Sequence, residues 1–258
     1  MKIARFSHQD GIRYGIVDDG ELVVLDGDPM FVGFETTGER IPLAEVAMLA
    51  PVIPRSKVVC VGRNYHDHAA EFGNVAPEEP LLFLKPNTAV IGTGDAIVRP
   101  RISERTEFEG ELVAVIGRVA KNVRAEDALD HVFGYTVGND VTARDLQRKD
   151  GQWTRGKGFD TFCPLGPVIE TEFDAAAARI ETRVNGEVRQ QAPLTDMIHS
   201  VADIIAYASA VFTLLPGDVI MTGTPAGVGE IVAGDTVEVE VSGIGTLRNI
   251  VRDAPAAS

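Results

Sequence analysis

Residues 106–118 read TEFEGELVAVIGR, and in this stretch Glu107, Glu109 and Glu111 alternate at the mouth of a run that is otherwise apolar. Side chains two apart on a strand point to one face, with alpha carbons roughly 6.5–7 Å apart. Glu109 and Glu111 can therefore converge on one point in a twisted sheet. Two carboxylates that close repel, so one takes up a proton or a cation sits between them. A hard divalent ion such as Mg²⁺ suits an all-oxygen ligand set and keeps water positions open to substrate. Asp140, in GYTVGNDVT beside Gly138, ends a strand-like run and offers a third ligand. The plain alternative is a solvated strand entrance, and E-x-E alone does not choose between the two.

GRNYHDHAAEFG carries a second constellation. His68 and Glu71 are spaced i, i+3, so on a helical turn they share a face and can hydrogen-bond. A carboxylate beside an imidazole fixes its tautomer and raises its basicity, which suits a general base acting on water. The alternatives are a surface helix start capped by Asn64, or a zinc site from His66, His68 and Glu71, which lacks a cysteine and a clear fourth ligand. In WTRGKGFDTFCPLGP a single lysine, Lys157, lies between glycines, where it can polarise a carbonyl or neutralise an enolate. TGTPAGVG, residues 222–229, lacks the Lys-Ser/Thr ending of a phosphate loop, but its glycines and Thr224 can bind a carboxylate through backbone N–H groups. Pairing Cys163 with His199 as nucleophile and base has no motif behind it.

Strand ends and tight turns must bring these residues together, and the surrounding sequence supplies both. KIARFS, IRYGIV and ELVVLD, separated by HQDG and DDG, predict a small meander over the first 26 residues. LAEVAML reads as helical, and the two prolines of APVIPRS mark a boundary near residue 54. KVVCVG, LLFLKP, AVIG and ELVAVIG predict further strands, and AEDALDHVFGY a helix. A second helix is expected from Val201 to Leu215, with Ser200 and Asp203 as a capping box. Its core-facing stripe would be Ile204, Ile205, Ala208, Val211 and Phe212. PGD then turns the chain into VIMTG, and TVEVEVSGIGTLRNIV reads as a closing hairpin. Strands outnumber helices without alternating regularly with them, which points to a mixed β-rich α+β architecture.

The 258 residues carry a formal charge of −14, and no Lys/Arg-rich block stands out. That argues against nucleic acid as a main partner. No apolar run is long enough to span a bilayer, and MKIARFSHQDG lacks the apolar stretch of a signal peptide, so a cytoplasmic location is expected. The two cysteines, Cys60 and Cys163, match no zinc or redox spacing and read as reduced thiols.

Six segments occur in the order seen in the fumarylacetoacetate hydrolase family: VVCVGRNYHDHAAE, PLLFLKP, FEGELVAVIGR, GYTVGNDVTARDLQ, GKGFDTFCPLGP and LLPGDVIMTGTPAGVG. The chain resembles that family from about residue 56 to 252. The resemblance implies a β-roll catalytic domain over 55–253, a small N-terminal β domain over 1–54 and a disordered tail over 254–258. It also implies a homodimer and Mg²⁺ or Mn²⁺ held by Glu109, Glu111 and Asp140. His68 and Glu71 fall on the water-activating dyad of the members that cleave acylpyruvates and decarboxylate oxaloacetate. Lys157 falls on the lysine that stabilises the enolate. Arg144, Gln147 and Thr224 fall on positions that hold the substrate's carboxylate end, with Arg63 and Tyr65 near the pocket. Lys85 matches a motif residue without an assigned role, and Glu107 is not read as a ligand because that position varies.

The activity so implied is metal-dependent chemistry on 2-keto or β-diketo acids through an enolate, as C–C hydrolysis of an acylpyruvate or decarboxylation of oxaloacetate. The alternative is isomerisation of a 2-hydroxyhepta-2,4-diene-1,7-dioate. A non-catalytic small-acid binding protein is the third reading. NYHDHAAEFGN is expected to close over the substrate.

Overall fold

An apolar run without alternation, such as LVAVI at residues 112–116, asks for a strand covered on both faces. The computed structural model, which describes residues 1–9, 11–71 and 77–256, gives it that setting. The main path of the largest sheet runs Thr36–Pro42, Glu21–Leu25, Gly11–Asp18, Lys2–His8, Cys163–Glu170, Val132–Asn139, Gly110–Ile116, Val219–Met221, Val58–Gly62 and Leu81–Lys85. Neighbours on this path are antiparallel except Val219–Met221 with Val58–Gly62. Leu112, Ala114 and Ile116 face a core shared with a second sheet of Glu187–Pro193, Arg179–Val184, Thr236–Val241, Gly245–Asp253 and Ala96–Arg99. Val113 and Val115 face the opposite way, onto Cys60, Cys163 and Met221. The mixed β-rich α+β architecture is thus the one the chain adopts.

The two sheets approach closely where the acidic segment enters. A Cβ on Gly110 would overlap the Thr182 hydroxyl of the second sheet, so only glycine fits between Glu109 and Glu111. At the other end of the sheet the N-terminal meander forms as expected, and Thr36–Pro42 adds a fourth strand. The meander continues the main sheet, since Ile3 pairs with Ile169.

Three local expectations change. LAEVAML forms a 3₁₀ turn, Leu43–Glu45, and then a short strand, Ala47–Met48, that pairs with the first strand. AEDALDHVFGY is a 3₁₀ helix only over Ala125–His131, because Val132 onward is recruited into the sheet. The capped helix spans Val201–Val211 and has the capping box on Ser200 and Asp203. It stops there because Phe212 is extended and Leu214 exchanges two backbone hydrogen bonds with Ala120. Ile204, Ile205 and Ala208 are buried, but Val211 is exposed and lies outside the stripe. The expected tail begins with an anchored residue, as Ala254 N donates to the Arg99 carbonyl at 3.0 Å; residues 257–258 lie outside the described residues.

The parallel pairing of Val219–Met221 with Val58–Gly62 needs its two strand starts held side by side, and Asp218 does this. Its buried carboxylate accepts from Ser56 N (3.2 Å), Lys57 N (3.1 Å), Ser56 Oγ (2.6 Å), Lys57 Nζ (2.6 Å) and Leu215 N (2.9 Å). Burial alone would raise its pKa, but the Lys57 ammonium and Ser56 hydroxyl outweigh that and lower it. A carboxyl whose folded pKa lies below its unfolded one stabilises the fold above the unfolded value. That contribution is lost as pH falls through the folded value. Asp218→Ala, which leaves these donors unpaired, is therefore expected to cost about 1–3 kcal/mol at neutral pH. Urea titrations should show that cost shrinking at acidic pH; a cost independent of pH would refute the assignment.

Candidate active site

A row of alternating charges runs from the surface into the core. Arg105 Nε, half exposed, donates to Glu107 Oε1 at 2.6 Å. Arg144 Nε donates to Glu107 Oε2 at 2.6 Å, and Arg144 Nη2 donates to Glu109 Oε1. Lys157 Nζ bridges Glu109 Oε2 at 2.7 Å and Asp140 Oδ2 at 2.6 Å. Lys85 Nζ closes the row on Asp140 Oδ1, with a further bond to the Val141 carbonyl at 3.2 Å. Beyond Arg105 every member is buried.

The row exists because the chain changes sheets at Glu109. Thr106–Phe108 pairs with Thr142–Ala143 and Gly229–Glu230, whereas Gly110–Ile116 pairs with Val132–Asn139. The break leaves Glu109 N to the Asn139 side chain (2.9 Å), while Asp140 N donates to the Glu109 carbonyl (2.8 Å). Those two bonds bring Asp140 beside Glu109. The helix Arg144–Asp150 follows at once, and its Arg144 and Gln147, one turn apart, hydrogen-bond at 2.7 Å. The helix Thr154–Lys157 then packs so tightly on it that a Cβ on Gly156 would lie 2.9 Å from Gln147 Cα.

Electrostatics divide the acids into two kinds. Burial would raise the Glu109 pKa, but Lys157 and Arg144 hold it well below the usual carboxylate range. Lys157 stays an ammonium: burial opposes its charge, and Asp140 and Glu109 more than offset that. Glu111 behaves oppositely. Burial, then Asp140 and Glu109, push its pKa well up, and the Gly223 N–H at 2.7 Å only partly compensates. Oxygens of Glu109, Glu111 and Asp140 lie within 4.8 Å of one another. Among the described residues Glu111 has no cationic side chain as an ion-pair partner. Three converging carboxylates with one charge uncompensated are an all-oxygen donor set that fits a hard divalent cation.

His68 and Glu71 lie on the helix His66–Glu71, with Nδ1 and Oε2 3.2 Å apart. Glu71 is also within 3.3 Å of the Gly227 N–H. His68 faces a cavity of about 570 Å³, whose lining also includes Glu109, Arg144, Gln147, Lys157 and Arg63. His68 of the dyad, Lys157 and Glu109 of the acidic cluster thus meet around one space, with Glu71 behind His68 and Glu111 and Asp140 behind Glu109. Thr224 and Tyr65 do not line it. Thr224 Oγ1 donates to the Gly110 carbonyl (2.8 Å) and accepts from Gln190 Nε2 (2.7 Å), which braces the second sheet. Tyr65 is buried beside a neighbouring cavity of about 490 Å³ that also contains His66 and Asp67.

Because His66 and His68 face different cavities, the zinc set His66, His68 and Glu71 does not converge. Cys163 lies 3.8 Å from Met221 Sδ with its thiol pushed up to about 12 by burial, while His199 Nε2 lies 3.2 Å from the Pro77 carbonyl; no nucleophile–base pair forms. The expected closing segment falls partly on residues 72–74, outside the described residues. Trp153 and Arg148 line the cavity without having been singled out from the sequence. For Trp153 the signal was available, as a lone tryptophan in a glycine-rich segment.

A lysine, a glutamate of a buried acidic cluster and the histidine of a histidine–glutamate dyad around one cavity on a β-rich scaffold define a small-molecule enzyme site. The chain belongs to the fumarylacetoacetate hydrolase family. Residues 57–252 match the family model described as fumarylacetoacetate (FAA) hydrolase C-terminal, and residues 1–51 match Rv2993c-like, N-terminal. The chain is 51% identical over 265 residues to protein Rv2993c of Mycobacterium tuberculosis, covering 97% of this chain and 98% of that one. It is 43% identical over 221 residues to oxaloacetate tautomerase YisK of Bacillus subtilis, covering 80% of this chain and 73% of the relative. A solved structure of 5-carboxymethyl-2-hydroxymuconate delta-isomerase from Mycobacterium smegmatis superposes with a TM-score of 0.92 at 47% identity, over 98% of this chain and 100% of that one.

Glu107 binds neither the cavity nor the cluster, yet it holds Arg144 in place. Glu107→Ala removes one of the two carboxylates that hold the buried Arg144, leaving Glu109 and Gln147, and is expected to cost about 1–3 kcal/mol in chemical denaturation, with Glu107→Gln costing less. A Glu107→Ala protein as stable as the parent would show that Arg144 does not depend on this contact.

Proposed function

We propose that this chain moves a proton in small 2-oxo acids through an enolate, as a tautomerase or isomerase. The observation that carries the reading is one buried ammonium, Lys157 Nζ, held between Glu109 and Asp140 in the wall of the cavity that His68 also lines. An enolate needs a cation at its oxygen and a base at its carbon. Lys157 supplies the first. His68 supplies the second: with Nδ1 turned to Glu71, proton exchange is assigned to Nε2. Arg144 and Gln147 hold the carboxylate end of the substrate. Held by Glu109, Glu111 and Asp140, Mg²⁺ or Mn²⁺ would supply Lewis acidity toward the keto and carboxylate oxygens. The tautomerase and isomerase named among the relatives support proton transfer as the outcome.

A second reading keeps the same residues and changes the acceptor of the base. With water in the cavity, the His68–Glu71 pair can deprotonate it for attack on an acylpyruvate, giving C–C hydrolysis. Oxaloacetate can lose carbon dioxide to the same enolate without a nucleophile. The dyad, which bare enolate stabilisation does not require, favours the hydrolytic version.

Turnover of oxaloacetate, acetylpyruvate and a hydroxydienedioate, each with Mg²⁺ and with EDTA, separates the readings when pyruvate and ultraviolet absorbance are followed together. Proton transfer predicts a metal-dependent absorbance change without pyruvate; hydrolysis or decarboxylation predicts pyruvate. His68→Asn is expected to slow either reaction by about 10²–10⁴-fold. Full activity in EDTA, or in His68→Asn, would overturn the proposal.

A further inference from the structure

We propose that Arg63 and Arg148 form a subsite for a second carboxylate, so that the enzyme selects dianionic over monoanionic 2-oxo acids. The subsite rests on the enolisation reading above and adds to it the charge of the distal end of the substrate.

Both arginines line the 570 Å³ cavity with His68 and Lys157. The other cations of that cavity already face protein carboxylates, Arg144 on Glu107 and Glu109 and Lys157 on Glu109 and Asp140. Among the described residues, neither the Arg63 nor the Arg148 guanidinium is in a hydrogen bond or ion pair. Two planar forked donors without an internal counter-charge match a carboxylate from outside.

Their placement also fits. Arg148 is four residues after Arg144 on the helix Arg144–Asp150, so the two share a face one turn apart. The turn rises about 5.4 Å, a span suited to a short-chain diacid whose 2-oxo acid end lies at Arg144 and Lys157. Arg63 closes the same space from the end of strand Val58–Gly62. It takes a left-handed backbone conformation with φ 60°, which side-chain-bearing residues avoid. The neighbouring Gly62 admits the Trp153 ring flush against the strand, since a Cβ there would lie 2.7 Å from Trp153 Cζ3. The Arg63 guanidinium lies 6.0 Å from that ring, which is itself fixed edge-on to Phe83 at 5.1 Å. A residue held against its backbone preference, with its guanidinium parked beside a fixed aromatic wall, is placed for a ligand.

The chain's single tryptophan is Trp153, so its fluorescence reports binding at this wall directly. The test compares oxaloacetate with its 4-methyl ester, which share the 2-oxo acid end and differ in distal charge. Fluorescence titration and turnover are measured for the parent, Arg148→Gln, Arg148→Lys and Arg63→Gly. The parent should bind oxaloacetate about tenfold or more tightly than the ester, the size of a charge-assisted hydrogen bond. Arg148→Gln should erase most of that preference, raising KM for oxaloacetate more than it lowers kcat. Arg148→Lys should restore part of it, because an ammonium keeps the charge without the fork. Arg63→Gly should lose preference while its Tm stays at or above the parent's, as glycine relieves the left-handed residue.

Equal weakening of both ligands, or a preference unmoved in Arg148→Gln and Arg63→Gly, would overturn the subsite. If the parent turns over no 2-oxo acid but the binding preference collapses in the variants, the subsite stands and the enolisation reading falls. Turnover with an unmoved preference would leave the enolisation reading standing and remove the subsite.

Discussion

Four carboxylates buried side by side are the constraint on which this structure turns. In a medium of low effective dielectric, like charges repel strongly and each one loses its hydration. Glu107, Glu109 and Asp140 are tolerated because Arg144, Lys157 and Lys85 are interleaved with them, each cation reaching a carboxylate oxygen. Among the described residues Glu111 has only a backbone N–H, and burial together with Asp140 and Glu109 raises its pKa. The cluster is therefore nearly neutral with one defined deficiency, at the point where an all-oxygen cation site would complete it.

Such a row cannot be assembled from one stretch of chain. Its acids come from the segment where two sheets part and from the residue just past Val132–Asn139. Its cations come from an edge strand and from two short helices. The sheet fixes the acids through backbone bonds, whereas the lysines and Arg144 reach in on long side chains. The same two helices that deliver Arg144 and Lys157 also build the cavity wall at Trp153 and Arg148, so charge balance and substrate space are set by one local structure.

Much of this was legible in the sequence. Glu109 and Glu111 converge as strand periodicity suggested, Asp140 joins them from the end of its strand-like run, and the i, i+3 spacing of His68 and Glu71 does produce their contact. The meander and the closing hairpin formed because their turn residues are strong local signals. What stayed hidden depended on distant partners. Nothing near Lys85 says that Asp140 will receive its ammonium, and nothing near Glu107 announces Arg144. The helix Arg144–Asp150 is too polar for an apolar period to reveal it. The hairpin of Arg179–Val184 and Glu187–Pro193 went unpredicted although Asn185-Gly186 is a strong turn signal, with both residues at positive φ. LAEVAML and the end of AEDALDHVFGY reversed their expected state because strand neighbours outcompeted helical propensity.

The close approach at Gly110 has a consequence for how sequences of this fold can diverge. Position 110 has no room of its own; the space a side chain would need is occupied by the hydroxyl of Thr182 on the facing sheet. A larger residue at 110 needs room at 182 and also at 239, whose Cγ1 would lie 2.9 Å from the added Cβ. Three sites far apart in the chain, none of which touches the cavity, are in this way bound to change together, and the spacing between the flanking glutamates is inherited with them.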